Sequence, residues 1–215
     1  MRKSFADKPF KLLDVGAGNH SASRITSLFT QCEYYGLDLD KSYNNDEYDF
    51  DVMKGFYELD LTKLNFAVVP DEYFDGIWMA HVIEHLYNGD EVVKGLLKKL
   101  KPGGYFIFSV PNLSSLHNRV LFSLGFQPTS VRVIGPHVRG YAYNDMPKFL
   151  EFNNHFKIVK KIGVGFYPSF YPLTNILARS FKGLSHTVIW VLQKQSSKKK
   201  NWQDEIESLD LQSEF

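Results

Sequence analysis

Two groups of residues near the start of the chain have the types and the spacing needed to hold a nucleoside. The segment Asp14-Val-Gly-Ala-Gly18 follows a short apolar run and precedes apolar residues at helical spacing. Glycines at such a strand-to-helix turn let backbone N–H groups approach a ligand closely. Asp38 ends the next apolar run, where a carboxylate can accept hydrogen bonds from both hydroxyls of a ribose. Together these features favour a nucleoside-bearing ligand over an ordinary surface turn.

The glycine segment departs from the fingerprint of dinucleotide-binding proteins. That fingerprint requires a further glycine three residues after the second one, and position 21 is Ser. We therefore expect that the chain is not a nicotinamide-dependent oxidoreductase.

His81, Glu84 and His85 form the pattern H-x-x-E-H, which also matches the inverted motif of some zinc peptidases. A zinc site of that kind needs the motif inside a long helix, with its side chains on one face. Here the pattern begins within two residues of a predicted strand. We therefore expect Glu84 and His85 to orient the loop that follows this strand.

Short apolar strands alternate with amphipathic helices, which predicts an α/β fold with a mostly parallel sheet wrapped in helices. Residues 44–57 are polar and acidic and are predicted as a loop with room for one short helix. The segment Lys101-Pro-Gly-Gly104 predicts a helix stop and a turn. The predicted strands are 11–15, 34–39, 74–79, 105–110, 156–163 and 187–193. The predicted helices are 21–30, 91–100, 114–125, 146–152 and 171–181.

The composition is that of one globular domain. The 215 residues are 44% hydrophobic and 23% charged, which excludes a disordered chain. Cys32 is the single cysteine, so no internal disulfide can form. The N-terminal segment lacks the apolar region of a secretory signal, and no apolar run approaches the ~20 residues of a membrane-spanning helix. We therefore expect a cytoplasmic protein that is a monomer or a homodimer.

The net charge of +1 conceals a segregation of charge along the chain. Residues 1–111 hold 17 acidic and 12 basic side chains, whereas residues 112–203 hold two acidic and 13 basic ones. Residues 204–215 hold five acidic side chains and no basic one. The middle block should therefore prefer anions. We assign residues 1–195 to a single domain with a basic insertion at about 113–150, and residues 196–215 to a charged tail.

Five segments resemble a known enzyme family in their order and spacing: KLLDVGAG, YYGLDLD, YELDLTKL, FDGIWMAHVIEHL and LLKKLKPGGYFIFSVPN. The family is the class I S-adenosylmethionine (SAM) dependent methyltransferases, in particular the small-molecule group that includes ubiquinone-pathway O-methyltransferases and sugar or polysaccharide methyltransferases. The resemblance is strong over residues 10–112 and loose over residues 113–195. It implies a Rossmann-like sheet of seven strands whose last two form an antiparallel hairpin, and it implies SAM as the cofactor.

The resemblance also implies roles for individual residues. Asp14, Gly16 and Gly18 would hold the methionine end of SAM, mostly through the backbone. Asp38 would bind the ribose hydroxyls, with Leu39 against the adenine. The other positions that would line the cofactor are Asp60 and Leu61 at the adenine edge, and Ala80 and His81 beside the methionine.

Some quinone-type members of the family carry Glu-x-x-Glu-His at the position of His81-x-x-Glu84-His85 and bind a divalent ion. A histidine in place of the first glutamate suits Mg²⁺ poorly, because Mg²⁺ prefers oxygen ligands. We therefore expect that this chain binds no metal.

The basic insertion corresponds to the region that covers the acceptor in this family. The guanidinium groups of Arg132 and Arg139 match phosphate or carboxylate, and Tyr141 follows them. We therefore expect an anionic acceptor, methylated at oxygen, such as an acidic sugar, a nucleotide sugar or a lipid-linked glycan of polysaccharide biosynthesis. The same cations would equally suit a solvated face. Because histidine titrates near neutral pH, His137 is the first candidate for a general base and His81 is the second.

Two further functions stay open. The basic block would also suit a nucleic-acid methyltransferase, but Met79-Ala80-His81-Val82 stands where amino-directed nucleic-acid methyltransferases carry Asn/Asp-Pro-Pro-aromatic. We therefore expect no nucleic-acid partner. The other alternative is a non-catalytic partner protein that binds SAM.

Residues 165–181 are rich in aromatic side chains and have Lys160, Lys161, Arg179 and Lys182 within or beside them. Such a composition suits peripheral contact with anionic lipid headgroups. Packing of these aromatic side chains in the core beneath a long loop is the more common arrangement, and we expect it here.

Overall fold

Seven strands form one sheet in the computed structural model, which describes residues 8–151 and 156–195. The strands are β1 (Phe10–Val15), β2 (Cys32–Asp38), β3 (Met53–Glu58), β4 (Phe74–Ala80), β5 (Leu100–Pro111), β6 (Phe156–Val164) and β7 (Thr187–Lys194). Their order across the sheet is β3-β2-β1-β4-β5-β7-β6. Strands β1 to β5 are parallel, and β7 pairs antiparallel with both β5 and β6. The predicted α/β fold with an antiparallel last hairpin is confirmed.

The helices that flank the sheet are α1 (Ser21–Leu28), α2 (Glu47–Val52), α3 (Gly89–Lys99), α4 (Leu116–Ser123), α5 (Met146–Glu151) and α6 (Leu173–Ser180). Helix α3 shows why these segments fold as they do. Its first turn carries Asp90 and Glu91 and its last turn carries Lys98 and Lys99, which complements the helix dipole. Among residues 8–151 and 156–195, no helix combines the length and the apolar character that crossing a membrane requires.

The central strands are buried on both faces, as expected for parallel strands covered by helices. Leu13 and Ile77 contribute to the larger core, whereas Leu12 and Tyr34 contribute to a smaller core on the other side. The antiparallel strands complete the larger core with Trp190, whose side chain is almost fully buried.

The prediction that residues 44–57 form a loop with room for one helix was wrong for its second half. Helix α2 is present, and strand β3 follows it directly. Strand β3 lies at the sheet edge and, within the described part of the chain, pairs only with β2, so its side chains are half-buried or exposed. Such a strand lacks the continuous apolar run by which the other strands are predicted.

The Lys101-Pro-Gly-Gly104 segment interrupts a strand rather than preceding one. Strand β5 already begins at Leu100, which lies opposite Phe74, but the next pair is Tyr105 with Gly76. The residues between Leu100 and Tyr105 therefore form a bulge, with Gly103 at φ 77°.

The expectation that the aromatic residues after position 165 pack in the core was wrong for most of them. Phe166 is buried, but Tyr167, Phe170 and Tyr171 are exposed. The predicted charged tail, residues 196–215, lies outside the described residues.

We expect Gly163→Ala to lower the free energy of unfolding by about 1–3 kcal/mol. A Cβ at this position in β6 would overlap the carbonyl oxygen of Ala178 in α6 and lie 2.8 Å from Ser185 Oγ. Urea unfolding followed by circular dichroism measures the change. Gly135→Ala is the matched control, because the nearest atom to its Cβ would be Cβ of Arg132 at 3.6 Å. Equal losses in the two variants would contradict this account of the packing.

Candidate active site

The carboxyl ends of β1 and β4 lie side by side at the point where the strand order reverses. Ligands of open α/β sheets bind in the crevice outside the strand ends at such a point. After β1, the N–H groups of Gly16 and Ala17 both donate to the carbonyl oxygen of Leu37, at 2.8 and 3.2 Å. After β4, the N–H of His81 donates to the carbonyl oxygen of Ser109 at 3.0 Å. These bonds continue the sheet ladders to the strand ends, where Gly16 (φ 84°) and His81 (φ 56°) turn the two chains.

Two positions in the turn after β1 must be glycine, because atoms of other residues occupy the space that a side chain would need. Gly16 has φ 84°, and a Cβ there would lie 2.5 Å from Val82 Cγ2. A Cβ on Gly18 would lie 2.7 Å from Tyr43 Cδ1 and 2.8 Å from the Tyr43 carbonyl oxygen. The segments after β4 and β2 therefore approach this turn more closely than any other residue type would permit.

The loop after β2 is fastened to the glycine turn by polar contacts. Asn19 and His20 both have left-handed backbone, with φ 53° and 57°. Asn44 Nδ2 donates to Asn19 Oδ1 at 2.7 Å, and His20 Nδ1 lies 2.6 Å from Asp49 Oδ2. Burial raises the pKa of Asp49, but hydrogen bonds from Ser23 and His20 outweigh it and lower the pKa to about 2. Sequence reasoning missed Asp49, because its partners are distant along the chain.

Asp14 is a buried carboxylate at the end of β1. Tyr34 Oη donates to Asp14 Oδ2 at 2.6 Å, and Ser21 Oγ lies 2.8 Å from the same hydroxyl. Burial raises the pKa of Asp14 to about 6, although the hydrogen bonds from Tyr34 and Ser21 oppose the shift. The carboxylate is therefore held where a cation would be strongly attracted.

Asp38 is the last residue of β2, and Asp60 lies two residues beyond the end of the neighbouring strand β3. Asp38 Oδ1 accepts from the N–H of Leu39 at 2.6 Å, and burial raises the pKa of Asp38. Asp60 Oδ1 accepts from the N–H and the hydroxyl of Thr62, at 3.0 and 2.6 Å, and so begins the turn that buries Leu61. Leu39 is exposed. These predicted cofactor residues therefore lie at or just beyond the carboxyl ends of β2 and β3.

His81 and Glu84 form a close pair immediately after β4, which ends at Ala80. His81 has left-handed backbone at φ 56°, which is uncommon outside glycine and recurs at functional sites. Its Nδ1 lies 3.2 Å from Oε1 of Glu84, whose side chain is buried. Within the described residues, neither carboxylate oxygen of Glu84 accepts a hydrogen bond. Nitrogen atoms of His85 and His137 also lie within 4.8 Å of a Glu84 carboxylate oxygen, so the unsatisfied carboxylate lies among three histidines.

The basic insertion packs against this pair. His85 Nδ1 lies 3.2 Å from the carbonyl oxygen of Pro136, and His137 Nδ1 lies 2.9 Å from that of Ser130. Because a carbonyl oxygen only accepts, each Nδ1 carries a hydrogen and each neutral ring keeps a lone pair on Nε2. The ring centres of His85 and His137 lie 4.8 Å apart. His137 is therefore brought to the loop that carries His81 and Glu84.

The predicted acceptor residues are placed differently from one another. The N–H of Arg139 donates to the Glu84 carbonyl oxygen at 3.2 Å. Burial raises the pKa of Tyr141, and the nearby charge of Arg139 opposes the shift. Arg132 is exposed at the end of the turn Thr129–Val131. The backbone of Arg139 and the effect of its charge on Tyr141 join both residues to the cluster around Glu84. Arg132 and Arg139 are both exposed, so exposure does not distinguish them.

Two sets of side chains within the described residues could share a cation. The ligand atoms of Glu84, His85 and His137 lie within 4.8 Å of one another, and so do those of a second set, His20, Asp46 and Asp49. Nitrogen and carboxylate oxygen ligands of the first set are of the kind that Zn²⁺ accepts. The expectation that the chain binds no metal stays a prediction.

A family model described as a methyltransferase domain matches residues 2–147. The chain belongs to the class I SAM-dependent methyltransferases. SAM is the cofactor of this family. A relative of this methyltransferase is the ubiquinone/menaquinone biosynthesis C-methyltransferase UbiE of Pseudomonas putida (strain GB-1). It is 31% identical over 93 residues, which are 41% of this chain and 35% of that protein. The chain therefore spans about a third of that relative's length.

Solved structures share the fold of this methyltransferase at low identity. The [4+2]-cyclase SpnF has a TM-score of 0.63 at 16% identity, over 91% of this chain and 79% of that one. The N-methyltransferase NodS of Bradyrhizobium japonicum WM9, in complex with S-adenosyl-L-homocysteine, has a TM-score of 0.58 at 14% identity, over 91% and 83%. These likenesses describe the fold alone, since one fold hosts many reactions.

The chemistry of the crevice fits SAM. The cofactor carries a positive sulfonium, an ammonium and a carboxylate group, so its net charge is positive. The buried carboxylate of Asp14 and the partly exposed ones of Asp38 and Asp60 lie at or just beyond the strand ends around the glycine turn. A pyrophosphate would be repelled by the same groups. The space that a Gly16 side chain would fill is taken by Val82, and we propose that Asp38 binds the ribose hydroxyls.

We expect the affinity for S-adenosylhomocysteine to fall about tenfold between pH 7.5 and pH 5, because protonated Asp14 no longer attracts the ligand's ammonium group. The affinity falls on acidification because Asp14, with its raised pKa of about 6, is mostly ionised at pH 7.5 and mostly protonated at pH 5. Tyr34→Phe removes a hydrogen bond that favours the ionised form, so the midpoint should move to higher pH.

Isothermal titration calorimetry across this pH range measures the effect without turnover. Tyr35→Phe is the control, since its hydroxyl contacts Tyr73 at 3.1 Å instead of Asp14. An affinity that is constant from pH 5 to 7.5 would contradict the role of Asp14.

Proposed function

We propose that this methyltransferase transfers the methyl group of SAM to an oxygen atom of a negatively charged sugar, nucleotide sugar or lipid-linked glycan, in cytoplasmic polysaccharide biosynthesis and without a nucleic-acid partner. The observation that carries the proposal is the meeting of the His81–Glu84 pair, the basic insertion and the acidic cofactor crevice at one edge of the sheet. Bound SAM supplies an electrophilic methyl group. The protein must align the acceptor with it and remove a proton from a hydroxyl.

His81 is the general base that the geometry favours. The buried carboxylate of Glu84 faces Nδ1 of His81 and would stabilise the ring when Nε2 accepts a proton. His137 has its Nδ1 on a backbone carbonyl, so its Nε2 is also available to accept a proton. We propose His81 as the base and His137 as a residue that contacts the acceptor beside it.

A largely apolar cavity beside the insertion supports an acceptor with a lipid portion. Its volume is about 740 Å³, and it begins at Leu113, two residues after the end of β5. Other side chains that line it are Asn118, Arg119, Phe122, Phe126, Val131 and Ala142. A charged headgroup near Arg139 and an apolar tail in this cavity would together suit a lipid-linked glycan.

Transfer to carbon is a second candidate. It is favoured by the similarity to UbiE, which is named a C-methyltransferase. Carbon acceptors also need a base, so the same His81–Glu84 pair would serve either reaction. The atom that carries the new methyl group in the product distinguishes the two.

The experiment that tests this function is turnover of the purified chain with isotopically labelled SAM and a panel of acceptors: an acidic sugar, a nucleotide sugar, a lipid-linked glycan, a quinol and an RNA. We expect S-adenosylhomocysteine and a methyl ether with one of the first three. Asp38→Ala should abolish SAM binding and turnover together. Binding of SAM with no transfer to any acceptor would instead assign the chain to a non-catalytic role.

We expect His81→Gln to lower kcat by 10²–10⁴-fold, because the proton of the acceptor would have no base. His137→Gln should mainly raise KM for the acceptor, and Glu84→Gln should lower kcat and change the shape of the pH–rate profile. His117→Gln is the matched control, since its ring packs on Tyr167 at 4.7 Å. If His81→Gln kept its kcat across the pH range, the assignment of the base would be abandoned.

We expect Arg139→Ala to raise KM for the acceptor about tenfold or more, through loss of a charged hydrogen bond, with an unchanged Kd for SAM. Arg132→Ala should have a smaller effect, since Arg139 is the arginine whose N–H bonds to Glu84 and whose charge acts on Tyr141. Lys148→Ala is a control for lost positive charge, because Lys148 lies 3.4 Å from Asp145. Unaltered acceptor kinetics in an Arg132→Ala/Arg139→Ala double variant would refute an anionic acceptor bound here.

A further inference from the structure

The connection between β6 and β7 exposes an unusual number of large apolar side chains. Helix α6 buries only Ala178, and the loop before it buries Phe166. Six other large side chains in this connection are between 43% and 78% exposed: Tyr167, Phe170, Tyr171, Leu173, Ile176 and Phe181. A contiguous apolar segment of this size on a surface marks an interaction site.

The charges around these side chains have a single sign. Residues 156–195 hold six Lys or Arg and no Asp or Glu. Lys160, Lys161, Arg179 and Lys182 line one cleft between β6 and α6, and Lys161 Nζ also lies 4.7 Å from the ring centre of Trp190. We define the docking surface as the six exposed apolar residues with Lys160, Arg179 and Lys182. Its partner must therefore be both anionic and able to cover apolar side chains.

The docking surface lies at the same edge of the sheet as the active site. Strand β7 begins at Thr187, which pairs with Val164 at the end of β6 and with Pro111 at the end of β5. The connection from β6 to β7 is therefore beside the carboxyl ends of the parallel strands. Tyr167 also contacts His117 of α4, with ring centres 4.7 Å apart, so the surface adjoins the basic insertion.

We propose that the docking surface binds the face of an anionic lipid bilayer, with its aromatic and aliphatic side chains among the headgroups and its cations beside the lipid phosphates. Aromatic residues at the level of the headgroups, joined to lysine and arginine, are the combination that such surfaces select. A second copy of this chain is disfavoured, because a symmetric contact would bring the same cations together. Nucleic acid would not require exposed Leu173 and Ile176.

Co-sedimentation of the full chain with vesicles tests the proposal. We expect binding to vesicles of phosphatidylcholine mixed with phosphatidylglycerol, and little binding to phosphatidylcholine alone. Phe170→Ser/Tyr171→Ser should abolish binding, and Arg179→Ala/Lys182→Ala should weaken the partition about fivefold per lost cation. Leu28→Ser/Val68→Ser is the matched control, since both side chains are similarly exposed, at 65% and 62%, and lie in other segments of the chain.

Thermal unfolding should be the same in all of these variants, because the altered side chains are exposed. Failure of the full chain to bind anionic vesicles would overturn the proposal, and so would equal binding to both kinds of vesicle or full retention in Phe170→Ser/Tyr171→Ser. Self-association that this double variant removes, without vesicle binding, would assign the surface to a protein partner instead. The assay requires no methyl transfer, so its result is independent of the proposed reaction.

Discussion

The close approach of the turn after β1 to the segment after β4 is the contact on which the site depends. Gly16 has left-handed backbone, and its missing side chain gives room to Val82. Val82 directly follows His81, so the same contact that shapes the cofactor crevice also fixes the position of the His81–Glu84 pair. Cofactor and base are therefore positioned by one piece of backbone packing, which is more precise than two independently placed loops would be.

The two halves of the chain carry opposite charges, and each half is complementary to one of the two proposed ligands. The cofactor is cationic, and we propose that it meets carboxylates at the ends of the first three strands, of which Asp14 is held by Tyr34 in a buried position. The insertion and the last two strands are basic and suit an anionic acceptor. Each ligand would be attracted to its own half and repelled by the other, so the charge pattern favours the productive arrangement over an exchanged one.

The sequence was sufficient for the features that depend on local pattern. Apolar runs identified the inner parallel strands, and the glycine turn with Asp38 identified the crevice. Strand β3 was missed because an edge strand with half-buried side chains has no such run. The contact of Tyr34 with Asp14 depends on the pairing of Asp14 with Gly36 between β1 and β2, which only the folded sheet establishes. The exposure of Phe170 could not be deduced either, because aromatic residues occur both in cores and on surfaces and the sequence does not distinguish the two.

The active site and the docking surface lie at the same edge of the sheet, and this placement gives the apolar cavity a role in binding the acceptor. The fold by itself does not determine the reaction, since SpnF has this fold and is a cyclase, so specificity must come from what surrounds the crevice. The cavity begins just beyond β5, and the apolar residues of the docking surface begin just beyond β6. If the docking surface rests on a bilayer, a lipid-linked acceptor could place its headgroup near His81 while its tail passes through the cavity toward the membrane. Holding the acceptor at this edge would raise its effective concentration at the methyl donor. The sulfonium already supplies a reactive methyl group, so bringing the acceptor to it is the main contribution required of the protein.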